Sequence, residues 1–316
     1  MALPSCVRRF LYVWREGDVL LLRQMRYFVA VADCRSFTEA AEQCYISQSA
    51  ISQQIRALEA DLGVELIHRE NRRFFLTPAG EYFYRQSKGL LGQVEAVRRE
   101  TVRIGQDQES QLRIGYPRNY SGQELHQAVA EFSRMYPEVA ISIVNGTHEE
   151  LYDLLRFGEA DLILNDQRRA FSEQYVNYEL LRCDCLAEIP AGSSLAEQDA
   201  VELEDLRHIP CILVAPGEQQ STEEAYYKNT VGFGGSFLFA GNLEEGRLMV
   251  AGNRGFLPVD KVGTLSPAGA AVKRLSILQG GQKLRRNYCL FWMKENSSYY
   301  IEEFAGILRT LLVSEE

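Results

Sequence analysis

The sequence predicts a helix-turn-helix with a small β-wing, joined by one long helix to an α/β body. Three observations carry this: two helix starts within residues 36–80, a seven-residue apolar repeat from Phe83, and alternating short strands and helices from Leu112. Ser36 with Glu39 makes a capping box, so a helix starts at Phe37. Ala40 and Ala41 are small, as two closely crossing short helices require. Tyr45 and Ile46 leave the helical pattern, and Ser47 caps a second helix. That helix places Ile51, Ile55, Leu58 and Leu62 on one apolar stripe. Its early outward positions are Gln48, Ser49, Ser52, Gln53 and Arg56, each able to hydrogen-bond a base edge or a phosphate. Gly63 ends the helix in the left-handed region. Residues 65–68 and 72–76 then read as two short strands around a basic tip, which completes a winged helix-turn-helix.

The run from Met25, through AAEQCYISQSAISQQIRALEADLGVELIHR to LTPAGE, resembles the DNA-binding end of LysR-type transcriptional regulators. The family composite is AA, the S-Q-S/P-A-S/I-S start, L-E-x-x-L-G, L-x-x-R and L-T-x-A-G, far more specific than one helix-turn-helix match. The likeness is dense over residues 25 to about 105 and continuous but looser beyond. It implies a DNA-binding domain over residues 25–82, with Ser36, Ser47, Gln48, Ser49, Ser52, Gln53, Arg56, Arg69, Arg72 and Arg73 at the DNA. The partners it implies are double-stranded DNA, a small-molecule effector, RNA polymerase, and further copies of the chain as a dimer or a dimer-of-dimers tetramer. It implies no cofactor, no metal and no membrane.

Net charge is −9, from 34 basic and 43 acidic residues, and such a balance argues against nucleic acid. The acidity is uneven, however. Residues 25–103 carry eleven basic and ten acidic groups, against nineteen and twenty-nine in residues 112–316. A near-neutral domain binds DNA when its cations share a face, as Arg56, Arg69, Arg72 and Arg73 are expected to do. Seven scattered cysteines form no disulfide framework and suit a reducing cytoplasm. No run approaches the ~20 apolar residues of a membrane span. Charges at Arg15, Glu16 and Asp18 interrupt the apolar residues 10–14, so residues 1–24 read as an extension or a mis-called start.

Thr77 and Pro78 start a long helix over residues 78–105. Phe83, Leu90, Val97 and Ile104 are spaced by seven, with Val94 between them, as in a helix that packs along a second copy of itself. The polar residues 105–111 then make a hinge.

Beyond it the period changes. Residues 112–116, 139–144 and 162–164 are strands, and residues 122–136 and 148–157 are helices with Leu125, Ala128, Val129, Phe132, Leu151, Leu154 and Leu155 inward. This βαβαβ order implies a parallel sheet whose strand ends, at Tyr116, Asn145 and Asn165, share one ligand-binding edge. A second unit of like grammar follows, with strands at 186–189, 209–214 and 287–292 and helices at 242–250 and 299–312. The resemblance makes this a two-lobed, periplasmic-binding-protein-like (type 2) effector domain. Its first lobe is expected from residues 112–166 and 294–316, its second from residues 167–293, and its effector between them. Related regulators place a Ser or Thr beside the first strand's end, where this chain has YPRNYS, residues 116–121. The site read here is for a small organic anion held by Arg118, Ser121 and Thr147, with Tyr116 and Tyr120 as walls and Asn165 at the third strand's end.

Other chemistry is not legible. His68, His126, His148 and His208 share no ligand spacing, and solvated helix positions explain His126 and His148. Cys183 and Cys185, two apart on a strand, lie too far apart for an unstrained disulfide. The GFGG of residues 232–235 lacks the Lys-Ser/Thr of a phosphate loop, and no nucleophile–base pair stands out. The chain is therefore read as a non-enzymatic regulator. The alternatives on such a scaffold are a solute-binding protein, which needs no DNA-binding end, and an enzyme, which needs paired acid and base groups.

Overall fold

The first helix, α1 (Leu22–Cys34), turns through Arg35 at φ 49°, and Ser36 Oγ then accepts the Glu39 N–H at 3.3 Å to start α2 (Phe37–Gln43). Tyr45 bends the chain at φ 57°, and Ser47 Oγ accepts the Ala50 N–H at 3.2 Å to start α3 (Gln48–Leu62). Gly63, at φ 68°, ends that helix, where an L side chain is strained. This computed structural model describes residues 22–70, 73–105 and 110–313, and the chain separates after Thr101 into two units.

The first unit buries Phe28 and Val31 of α1, Ala40 and Ala41 of α2, and Ile51, Ile55 and Leu58 of α3 in one cluster. Leu62 departs from the expected stripe and is 38% exposed, since the chain has already turned away at Gly63. The wing pairs β1 (Ile67–Glu70) with β2 (Arg73–Leu76) in antiparallel register. A contact across the turn after α3 fixes its base: Glu59 of α3 accepts the N–H groups of Leu66 and Ile67 at 2.8 and 3.0 Å. Thr77 Oγ1 donates to Glu65 O at 2.7 Å and accepts from Gly80 N at 3.0 Å, which starts α4 (Pro78–Gly105). A Cβ at Gly80 would meet Leu66 O at 2.0 Å, so this turn of α4 packs against the wing base only as glycine. The Phe83 ring packs edge-on to Phe28, whereas Leu90 and Val97 are exposed. The side chain of Ile104 and residues 1–21 lie outside the described residues, as do residues 106–109 of the hinge expected at 105–111; of that stretch Gly105 ends α4, and residues 110 and 111 are already strand.

The second unit opens with the expected βαβαβ: β3 (Ser110–Pro117), α5 (Glu124–Met135), β4 (Val139–Gly146), α6 (His148–Arg156) and β5 (Leu162–Asp166). Strand β3 pairs in parallel with both β4 and β5. Then follow β6 (Tyr175–Pro190), β7 (Ala200–Glu202), β8 (Cys211–Val214), α7 (Gln220–Tyr226), β9 (Phe237–Ala240) and α8 (Leu243–Ala251). The chain closes with β10 (Leu257–Asp260), β11 (Val272–Gln279), β12 (Gln282–Lys283), β13 (Arg285–Met293) and α9 (Tyr299–Val313). The large sheet runs β12-β11-β6-β13-β5-β3-β4, with β10 also on β6 and β7 also on β11. Strands β8 and β9 form a separate parallel pair.

Strand β6 runs from the sheet of β13 into that of β10 and β11, while β13 lies between β6 and β5. Residues 175–181 of β6 pair with residues 288–293 of β13, and β13 pairs with β5. Alternation along β13 explains this assignment. Tyr288, Leu290 and Trp292 pack with α5 and α9, while Cys289 and Phe291 pack with α6. Only residues 185–190 of β6 belong to the second lobe's sheet, where they pair with β10 and β11. Among the described residues no helix is long and apolar enough to cross a membrane.

Candidate functional site

Helix α3 presents a polar face. With Ile51, Ile55 and Leu58 buried, the 3.6-residue period leaves Gln48, Ser49, Gln53 and Arg56 exposed and Ser52 half-buried. Gln48 Nε2 donates to Ser52 Oγ at 3.3 Å, while Gln53 and Arg56 have no partner among the described residues. Ser36 and Ser47 are occupied as helix caps. Tyr45, in the turn just before Ser47, is 95% exposed. In the wing, Arg69 lies on β1 and Arg73 on β2, and Arg72 falls outside the described residues.

In the second unit the ends of β3, β4 and β5 meet the second lobe at a cleft. Arg118, Thr147 and Asn165 line it. Arg118 is 3.4 Å from the Glu150 carboxylate, which also accepts the Thr147 N–H at 2.8 Å. Asn165 is committed to its neighbours, donating to His148 O at 3.2 Å and accepting from Asp166 N. Thr147 is buried at the start of α6, and its hydroxyl finds no partner among the described residues.

Three residues expected at this site sit elsewhere. Ser121 Oγ accepts from Arg247 Nη2 of α8 at 2.8 Å, and its carbonyl accepts the Ser266 N–H at 2.8 Å. Ser121 therefore fastens one lobe to the other. Gly122 bridges to Leu265 beside it, and Glu124 accepts the Thr264 N–H at 2.7 Å. Tyr116 and Tyr120 pack edge to face on the first lobe's core, with ring centres 6.2 Å apart, and do not wall the cleft. Arg247 and Arg274 share the fully buried Glu188, which holds this seam from the second lobe.

The cleft itself is filled by charge. Asp166, at the end of β5, accepts from His148 Nδ1 at 3.1 Å and Arg168 Nε at 3.0 Å, with Arg286 Nη1 at 3.6 Å. Burial pushes the Asp166 carboxyl up, but Arg168, His148 and Arg286 outweigh it and hold the group well below the usual carboxylate range. Arg168 also donates to Glu223 of α7 at 2.9 Å, and its guanidinium lies 3.9 Å from the centre of the Tyr226 ring. Arg286 reaches the Tyr227 hydroxyl at 3.2 Å and Asp260 at 3.3 Å, and Asp260 also accepts from Tyr288 at 2.9 Å. About 20 Å³ remains free, room for little more than a water.

Sequence reasoning missed this cluster. His148, expected in solvent, is buried against Tyr152 and Asp166. The available signal was charge beside apolar strands, in LNDQRR, LPVDK and LRRNYC. Cys183 and Cys185 belong to its wall. Cys185 Sγ donates to Asp260 at 3.0 Å, and burial raises both thiols, so they stay protonated and unreactive.

Residues 22–81 match the family described as "Bacterial regulatory helix-turn-helix protein, lysR family", and residues 105–312 match "LysR substrate binding domain". The chain is 34% identical over 200 residues to "Uncharacterized HTH-type transcriptional regulator YnfL" of Escherichia coli K12, covering 62% of this chain and 66% of that one. It is 31% identical over 195 residues to "Hca operon transcriptional activator HcaR" of the same strain, covering 62% and 65%. The matches thus span under two thirds of these curated relatives. Its fold is similar to full-length CbnR, described as a LysR family transcriptional regulator, at TM-score 0.60 and 19% identity, covering 93% of this chain and 99% of that one. CbnR complexed with its target DNA gives TM-score 0.56 at 18% identity, covering 92% and 99%. With both family matches on one chain, each falling on the unit whose geometry fits it, the chain belongs to the LysR family.

Proposed function

We propose that the chain is a sequence-specific DNA-binding transcriptional regulator, acting in the cytoplasm and responding to a small molecule bound between the lobes of its second unit. The observation that carries this reading is the α3 face, where Gln53 and Arg56 stand exposed and, among the described residues, unpaired on a helix fixed from behind by Ile51, Ile55 and Leu58. A helix presented in this way suits the major groove, where Gln reads adenine and Arg reads guanine or a phosphate. Gln48, Ser49 and Ser52 extend the same face, and Arg69, Arg72 and Arg73 of the wing meet phosphates. Ser36 and Ser47 act as caps that set the two helices. The effector is a small organic anion, because Arg118, Arg168 and Arg286 converge on the cleft. Copies associate along α4, through Leu90 and Val97, and RNA polymerase is a partner at the promoter. The relatives are regulators, and the chain is read as no enzyme.

Gel shift at fixed salt, with DNA upstream of the chain's own gene, tests the α3 assignment. Gln53→Ala and Arg56→Ala should each weaken specific binding by about 1–3 kcal/mol with unchanged melting temperature. Wild-type affinity in both variants removes α3 as the reader.

A further inference from the structure

The cleft has no room for a ligand larger than a water, so whatever binds there has to displace a side chain that now fills it. Three carboxylates share the two buried guanidiniums of Arg168 and Arg286, and they are not equally held. Asp166 stands on β5 and takes His148, Arg168 and Arg286; Asp260 stands on β10 and takes Arg286, Tyr288 and Cys185. Among the described residues Glu223 has one ion-pair partner, Arg168 Nη1 at 2.9 Å.

The backbone differs in the same direction. Strands β5 and β10 are fastened in the large sheet, whereas Glu223 lies on the seven-residue α7, which has no side-chain cap at Gln219. That helix widens into a π turn over Tyr227–Val231 and stops at Gly232, φ 97°. Such turns are uncommon and cluster where segments move or bind. The charge balance agrees. Without Glu223 the two guanidiniums face two carboxylates, and one incoming carboxylate restores the present sum. Meanwhile Asp166 holds Arg168 Nε at 3.0 Å from outside the α7 segment, so the Nη1 edge stays oriented after Glu223 leaves.

We propose that Glu223 occupies the effector's own carboxylate seat on Arg168, and that a small carboxylate acts by exchanging with it and releasing residues 220–231. The proposal rests on the anion reading given above and adds its internal competitor. A seat filled from within lowers apparent affinity by the fraction of time it stands open. Removing the competitor therefore tightens binding without adding a contact.

The test is calorimetric titration of the full chain with sodium acetate, succinate and benzoate, against sodium chloride at matched ionic strength. The expected result is that Glu223→Gln binds at least one of the three about ten-fold or more tighter than wild type. The double variant Glu223→Gln/Arg168→Gln should lose that gain. Equal affinity of wild type and Glu223→Gln, with binding still lost on Arg168→Gln, overturns the competitor and leaves the anion reading standing. Binding of none of the three by either chain overturns both. Hydrogen exchange on wild type gives a second measurement that needs no variant to fold. Saturating carboxylate should speed exchange of the amides of residues 220–231, and unchanged exchange there contradicts release.

Discussion

Asp166 shows how far one side chain organises its surroundings. Its carboxylate is buried, yet it gathers a histidine and two arginines from α6, the stretch after β5, and β13. Removing one member of such a group strands the opposite charges, so Asp166→Asn should cost about 3–5 kcal/mol at pH 7. The pH dependence has a definite sign. The folded pKa lies below the unfolded value of ~3.9, so this stabilisation is complete above that value and is lost as pH falls toward the folded pKa. Denaturant unfolding of wild type and variant should therefore show a gap that is widest at neutral pH and narrows by pH 3. A gap independent of pH means that packing, not charge, holds the site. None of this was legible in the sequence, because His148 and Arg286 become partners of Asp166 only through folding. The caps at Ser36 and Ser47 were legible, since each donor lies three residues from its acceptor. Arg118, Thr147 and Asn165 come together at one cleft because strand ends in a parallel sheet share an edge. Ser121, near the same strand end, turns instead to Arg247, far along the chain, whose guanidinium donates to its hydroxyl.

At the scale of elements, short-range pattern served well and long-range pairing did not. Each helix of the βαβαβ run showed its apolar face in its spacing. Strand β6 was read only in its second half, residues 186–189. Its first half, YVNYELL, mixes polar and apolar residues because β13 covers its edge and α9 only one face. Glu59 could not be assigned to the wing base from sequence, since its acceptor role depends on where β1 returns. Helix α4 remains the element with most left to satisfy. Leu90 and Val97, seven apart, are 45% and 67% exposed on it, and water is a poor neighbour for both. On the proposed contact between copies along α4, replacing both by Glu should lower the mass in sedimentation equilibrium toward that of a single chain, with little change in helicity by circular dichroism. An unaltered mass distribution places the contact between copies on another surface.

For the whole molecule, two units carry two kinds of chemistry. The first holds a polar, partly cationic helix face outward on a small apolar core. The second encloses a charged cleft between two lobes and fastens them through Ser121, Arg247 and Glu188. The acidity of the chain belongs to the second unit, which is why net charge alone pointed away from DNA. The central claim is that the first unit reads sequence. Footprinting of the full chain on the DNA upstream of its own gene, at about 0.15 M salt with unrelated competitor DNA, tests it most directly. The expected result is a bounded protected site, bound roughly 10³-fold or more tighter than the competitor and weakened by Gln53→Ala. Protection that spreads evenly along the fragment, and is removed by competitor as readily as by salt, contradicts it.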